Sequence, residues 1–138
     1  MARMVVGLAS GSVERLLVAS TVVGGAVALD MEVDIYLLLG GARAFLKAPR
    51  DGLPPEHYDR PQDRDTLAAG MRDANVQMPL DALTALKDTG SVRIHACATA
   101  GKIWGATERE AFVDLVDDIV GIGAYVIACE EADVVQVL

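Results

Sequence analysis

Apolar residues in this chain fall into short uninterrupted blocks set apart by small polar clusters, the pattern of strands buried on both faces. Residues 4–9 form the first block and stop at Ser10, Gly11 and Ser12, turn-forming residues suited to the point where a buried strand leaves its sheet. Ser12 is suited to cap a helix over 13–29 whose apolar positions run nearly all the way round. One side of that helix covers the sheet and the other needs a second surface, a hint of self-association. Gly24 and Gly25 cost about 1 kcal/mol each relative to alanine. Close approach to a neighbouring backbone, or ordinary tight packing on the sheet, offsets that cost. Residues 33–39 read as a second strand, ended by Gly40 and Gly41.

From 47 to 65 the apolar period disappears, and Pro49, Pro54, Pro55 and Pro61 stand among mixed charges. A proline-rich loop of this length is often a lid or a binding surface. A short helix is expected over 66–72 and a better one over 79–87, with proline in its first turn and Gly90 just beyond its end. Residues 91–97 form a third strand with Arg93 and His95 as its polar positions and Cys97 at its carboxyl end. Thr107 and Glu110 have capping-box spacing, which predicts a helix over 107–116 and leaves 98–105 as a tight turn or short helical piece.

Two late blocks, 124–128 and 134–138, both look like strands, yet only five residues separate them. A parallel crossover needs about a dozen residues. Residues 119–121 are therefore read as a fourth strand, 123–132 as the crossover helix, and 134–138 as the fifth strand. Ile122, Tyr125, Val126 and Cys129 would share that helix's apolar face. The sum is an α/β chain: a three-layer α/β/α sandwich around a mostly parallel five-stranded sheet, one domain over 1–138.

Composition narrows the function classes. Hydrophobic residues make up 52% of the chain and aromatics 4%, so the core is aliphatic and the chain folds. Twenty acidic residues against twelve basic ones give a net charge of −8, and the basic residues are scattered, which argues against nucleic acid as a partner. The uncharged stretch 16–29 falls short of the roughly 18 to 20 residues that span a bilayer, and residues 4–8 are too short for the core of a secretory leader. The expectation is a cytoplasmic protein without a membrane span. Two distant cysteines, with no zinc-type spacing, predict neither a structural metal nor a disulfide framework. No dinucleotide fingerprint or Walker lysine motif occurs, so no cofactor is expected.

In open parallel sheets the ligand crevice lies beyond the carboxyl ends of the strands. There the sequence places Ser10, Gly11, Ser12, Gly40, Gly41 and Cys97 as candidates. The turn after Cys97, with Ala98, Thr99, Ala100 and Gly101, can aim backbone N–H groups at the sulfur, and Lys102 stands close in sequence. Such donors favour the thiolate, the form that attacks a disulfide or persulfide sulfur. The plainer reading is that Cys97 is a small buried hydrophobe. Cys129 reads as core. His95 points to the same side of its strand as Cys97, which allows either a Cys/His pair or a histidine hydrogen-bonded in place. His57 and Tyr58 lie in the proline-rich loop, solvated or folded over the site. The carboxylates of Asp117 and Asp118 read as solvated charge, and Trp104 as an anchor for the turn after Cys97.

Cys97 at a strand end, Gly105 after the following turn, the run Gly121, Ile122, Gly123, Ala124, and the closing Ala132, Asp133, Val134, Val135 together resemble the DsrE/DsrF-like sulfur-relay family. The resemblance follows the chain in outline and is sharpest over its last fifty residues. It is nearest the DsrE-like branch with a long variable segment, here 47–78. The resemblance implies a compact α/β subunit in homo- or hetero-oligomers, working with sulfur-donor and sulfur-acceptor proteins. It also implies that Cys97 accepts sulfane sulfur as a persulfide and passes it to an acceptor thiol, as a sulfur carrier or sulfurtransferase. Family members without the cysteine serve as assembly partners, so the alternative is a non-catalytic assembly or small-ligand-binding subunit. A cysteine hydrolase would need His95 or His57 within hydrogen-bond reach of Cys97.

Overall fold

The five apolar blocks pair side by side, all in parallel, in a computed structural model that describes residues 1–48 and 56–138. Strands β1 (Arg3–Leu8), β2 (Glu32–Leu37), β3 (Val92–Cys97), β4 (Asp118–Val120) and β5 (Val134–Val137) lie in the order β4-β3-β2-β1-β5. Helix α1 (Val13–Ala28) links β1 to β2. Helices α2 (Leu39–Ala44), α3 (Arg64–Asp73) and α4 (Pro79–Lys87) lie between β2 and β3, α5 (Ala98–Trp104) follows β3, and α6 (Ile122–Glu131) is the crossover into β5. This is the expected α/β sandwich on five strands, with a sheet that is wholly parallel.

Alternation along the strands divides the sheet into two unlike faces. On the first, Val6, Leu8, Val33, Ile35, Leu37, Ile94 and Ala96 have no exposed surface and pack with α1 and α4, joined by Phe45, Leu83, Phe112 and Val116. A fully buried aliphatic side chain contributes about 1.5–3 kcal/mol, so most of the hydrophobic stabilisation sits here. On the second face Val5 and Tyr36 meet Ala128, Tyr125 and Cys129 of α6, and polar residues take over toward β3 and β4.

Several local expectations need correction. Residues 107–116 do not form a helix: Arg109–Ala111 make a single 3-10 turn, and Glu108 before it makes no side-chain cap. The segment instead pairs with residues 45–47, through Lys47 N–H to the Ala111 carbonyl (3.0 Å) and Val113 N–H to the Phe45 carbonyl (2.8 Å), which seats Phe112 and Val116 in the core. Gly40 and Gly41 do not end β2 but belong to α2. A Cβ on Gly41 would collide with the Leu8 carbonyl oxygen, so the glycine lets α2 lie against β1. The second surface for α1 is supplied within the chain, by α4, with Leu86 Cδ1 3.9 Å from where a Gly24 Cβ would stand; Gly25 faces open space. On α6 the inward residues are Tyr125, Ala128 and Cys129, while Ile122 and Val126 are more than half exposed. Residues 49–55 of the proline-rich loop, with Pro49, Pro54 and Pro55, lie outside the described residues.

Candidate functional site

A crevice of about 530 Å³ opens at the carboxyl ends of β1 and β2, lined by Ala9, Ser10, Gly11, Leu39, Gly40, Arg43, His57 and Trp104. Its floor is backbone against backbone: a Cβ on Gly11 would stand 2.5 Å from the Gly40 carbonyl oxygen, and one on Gly40 2.8 Å from that of Ala9. Both residues are glycine because the turn after β1 touches the first turn of α2 there. Trp104 donates from Nε1 to the Leu39 carbonyl (2.8 Å), and the Arg43 guanidinium lies 6.0 Å from its ring centroid, near the reach of a cation–π contact. The indole thus ties α5 to α2, the anchoring role expected of it. His57 is held at the rim by its own carbonyl, which accepts from the Val13 N–H (2.8 Å).

The predicted site residues divide into three groups. Ser10, Gly11 and Gly40 meet in the crevice. Ser12 and Gly41 do not line it: Ser12 is fully buried as the N-cap of α1, accepting from the Arg15 N–H (3.2 Å), and Gly41 is packed under Leu8. Cys97, Ala98, Thr99, Ala100, Gly101 and Lys102 form a separate unit. Cys97 is the N-cap of α5 and the other five are that helix's first residues. Ala100 and Gly101 are buried, Gly101 against the Ala106 carbonyl, whereas Thr99 and Lys102 face solvent. Cys97 itself is only 7% exposed and is not among the crevice residues. The first amides of a helix have no intrahelical acceptor, yet the Cys97 side chain makes no capping hydrogen bond with them, so the donors expected at the sulfur are not engaged.

A second cluster, on the thinly covered face of the sheet, was not foreseen. Asp34, 2% exposed in the middle of β2, receives Arg3 Nε (3.1 Å), Arg93 Nε (3.1 Å) and His95 Nε2 (2.9 Å). His95 Nδ1 lies 2.6 Å from Asp118 Oδ1, and the imidazole stacks on Tyr36 with centroids 4.7 Å apart. Burial opposes the Asp34 charge, but hydrogen bonds from His95, Arg93 and Arg3 outweigh it and hold the carboxyl down at about 2. The bond to Asp34 raises His95 above its usual value, against the cost of burial and with help from Asp118. Asp118 and Asp117 are not idle surface charges: Asp117 accepts from Lys87 Nζ (2.6 Å) and the Ile94 N–H (2.8 Å). With both nitrogens committed to carboxylates, His95 is the histidine hydrogen-bonded in place rather than the base of a Cys/His couple. The signal for this cluster was a lone aspartate in an apolar strand, facing two basic residues at alternate positions of another.

Among the described residues no group of three or more His, Cys, Asp or Glu could hold a metal ion, and no helix is long and apolar enough to cross a membrane. No family profile and no curated protein matches the sequence. Among solved structures, the YchN protein from E. coli aligns over 100% of both chains with a TM-score of 0.58 and 21% identity. MTH1491 from Methanobacterium thermoautotrophicum, a protein of unknown function, aligns over 99% of both chains with a TM-score of 0.58 and 16% identity. At these identities the likeness is one of fold.

Proposed function

We propose that the chain is a DsrE/DsrF-like sulfur carrier or sulfurtransferase acting through Cys97. The observation that carries this reading is the placement of Cys97 at the carboxyl end of an inner parallel strand, where ligands of open parallel sheets bind, and at the N-cap of α5. In the reaction the Cys97 thiolate attacks the outer sulfur of a donor persulfide. The bond between the two donor sulfurs breaks, the donor thiolate leaves, and Cys97 holds a persulfide. An acceptor thiolate then attacks the terminal sulfur and Cys97 leaves as thiolate. Both steps are sulfane transfers that need no outside oxidant or reductant. The crevice with Ser10, Gly11 and Gly40 at its floor and Arg43 and His57 in its lining is the seat for a group of the donor or acceptor.

Assembly belongs to the same proposal. Ile122, Val126 and Ile127 on α6, with Val135 and Val137 on the edge strand β5, are 41–63% exposed, an apolar area suited to a second copy or a related subunit.

The test is intact mass spectrometry after incubation with polysulfide or thiosulfate, on wild type, Cys97→Ser and Cys129→Ser. Gain of one sulfur atom, reversed by a thiol reductant, lost in Cys97→Ser and kept in Cys129→Ser, is the expected result. A folded protein that gains no sulfur from any donor, or gains it on Cys129 alone, sinks the carrier reading and leaves the assembly subunit.

A further inference from the structure

We infer that His95 is a protonation-dependent clasp that fixes the edge strand β4 to the sheet and thereby controls access to Cys97.

The geometry starts from β4 itself. It is three residues long, lies outermost on its side of the sheet, and pairs with β3 alone, His95 opposite Asp118, Ala96 opposite Ile119 and Cys97 opposite Val120. So short a strand contributes little pairing of its own, and side chains must help to hold it. Two do so: Asp117, through Lys87 and the Ile94 amide, and Asp118, through His95. The imidazole sits between Asp34 on β2 and Asp118 on β4, so one ring bridges three strands.

Only the imidazolium donates to both carboxylates at once; the neutral ring has a single N–H, and its other nitrogen then presents a lone pair to a carboxylate oxygen. The two acids are unequal when that happens. Asp34 is 2% exposed and held by Arg3 and Arg93, so it stays. Asp118 has a side chain 53% exposed and can turn into water. Loss of the proton therefore releases Asp118 and, with it, one of the two side-chain ties on β4. Cys97 is nearly buried, and Val120 is its in-register neighbour, so a loosened β4 is a route by which a reagent reaches the sulfur.

The groups facing His95 set the balance. From β2 come Asp34 and the stacked Tyr36, with Tyr125 of α6 beyond it at 5.4 Å from the Tyr36 ring. From the β4 side come Asp118 and, next to it, Asp117, whose carboxyl the His95 charge helps to keep ionised. On its own strand lies Arg93, and from β1 Arg3; both oppose a positive ring, and both are already turned to Asp34, with Glu32 and Glu131 as further acidic partners. The carboxylates prevail, so the clasp is closed in mild acid and opens as pH rises. This device concerns access to the thiol and holds whether or not Cys97 carries sulfur.

The experiment follows hydrogen exchange of those β4 amides that donate to β3, corrected for intrinsic rates, across the His95 titration located by NMR of its ring. The wild type should lose protection at these amides by about tenfold as the ring deprotonates, the scale of one pKa unit of coupling, while β1 and β2 amides stay protected. In Asp118→Asn the β4 amides should be weakly protected at every pH, and Cys97 should be alkylated faster than in the wild type below the titration. Unchanged β4 protection across the titration in the wild type overturns the inference. So does a pH response that persists in Asp118→Asn, or equal Cys97 alkylation in the two proteins.

Discussion

At the scale of single residues, the glycines separate into those the fold requires and those it tolerates. A methyl on Gly41 would meet the Leu8 carbonyl, which cannot move without moving β1, whereas a methyl on Gly7 would meet Tyr125 Oη at 2.5 Å, the far end of a side chain that can turn aside. Gly41→Ala should cost about 2–3 kcal/mol by overpacking and Gly7→Ala distinctly less, as read from urea unfolding midpoints. An equal cost for the two would show that Tyr125 is as fixed as backbone. Cys97 stood out by its position at the end of an apolar strand, a position that a small buried hydrophobe also explains. Asp34 did not. A single acid inside an apolar block gives no hint of its partners until the register brings Arg93 opposite it and His95 one pleat further along.

At the scale of elements, the ion cluster joins β2, β3 and β4, and its pH dependence has two limbs of opposite sign. Asp34 is depressed from 3.8 to about 2, so its contribution is complete above about 4 and is lost as pH falls through about 2. His95 is raised above 6.5, so its contribution is complete below about 6.5 and is lost as pH rises through the higher folded value. Urea unfolding against pH should therefore show both contributions in full between about pH 4 and pH 6.5. His95→Gln should flatten the alkaline limb. Asp34→Asn should remove the acid limb, weaken the alkaline one, and cost about 2–3 kcal/mol at neutral pH by leaving Arg3 and Arg93 without their shared acid. Elements were legible where one period ran long enough: α1, α4, α6 and all five strands lie within a few residues of expectation. They were missed where local chemistry pointed away from tertiary packing. Gly40 and Gly41 looked like a stop yet sit in α2, and Thr107 with Glu110 looked like a cap in a stretch that the core pulls open around Phe112.

At the scale of the whole molecule, the sheet is closed on one face by α1 and α4 and more lightly on the other, where α6 leaves Val126 and Ile127 outward. If assembly buries that area, Val126→Lys should shift sedimentation toward a smaller species at a fixed protein concentration without altering the far-ultraviolet spectrum. A sedimentation coefficient identical to the wild type would place any assembly surface elsewhere. The alternation of strands and helices was legible, though not the strand order, because parallel crossovers have a minimum length: that rule placed the apparent strand 124–128 inside a helix expected over 123–132 and found at Ile122–Glu131.

Strand β1 ties together segments made far apart in time. β1 takes β2 on one side and β5 on the other, with Met4 beside Val33 and Val134 and Gly7 beside Tyr36 and Val137. During synthesis the first side can close once the early helix and second strand have emerged, while the other stays an open row of amides and carbonyls until residues 134–137 are made. For most of its elongation the nascent protein therefore carries a bare edge at what will be the interior of its sheet, the stage at which it is most exposed to pairing with another unfinished chain.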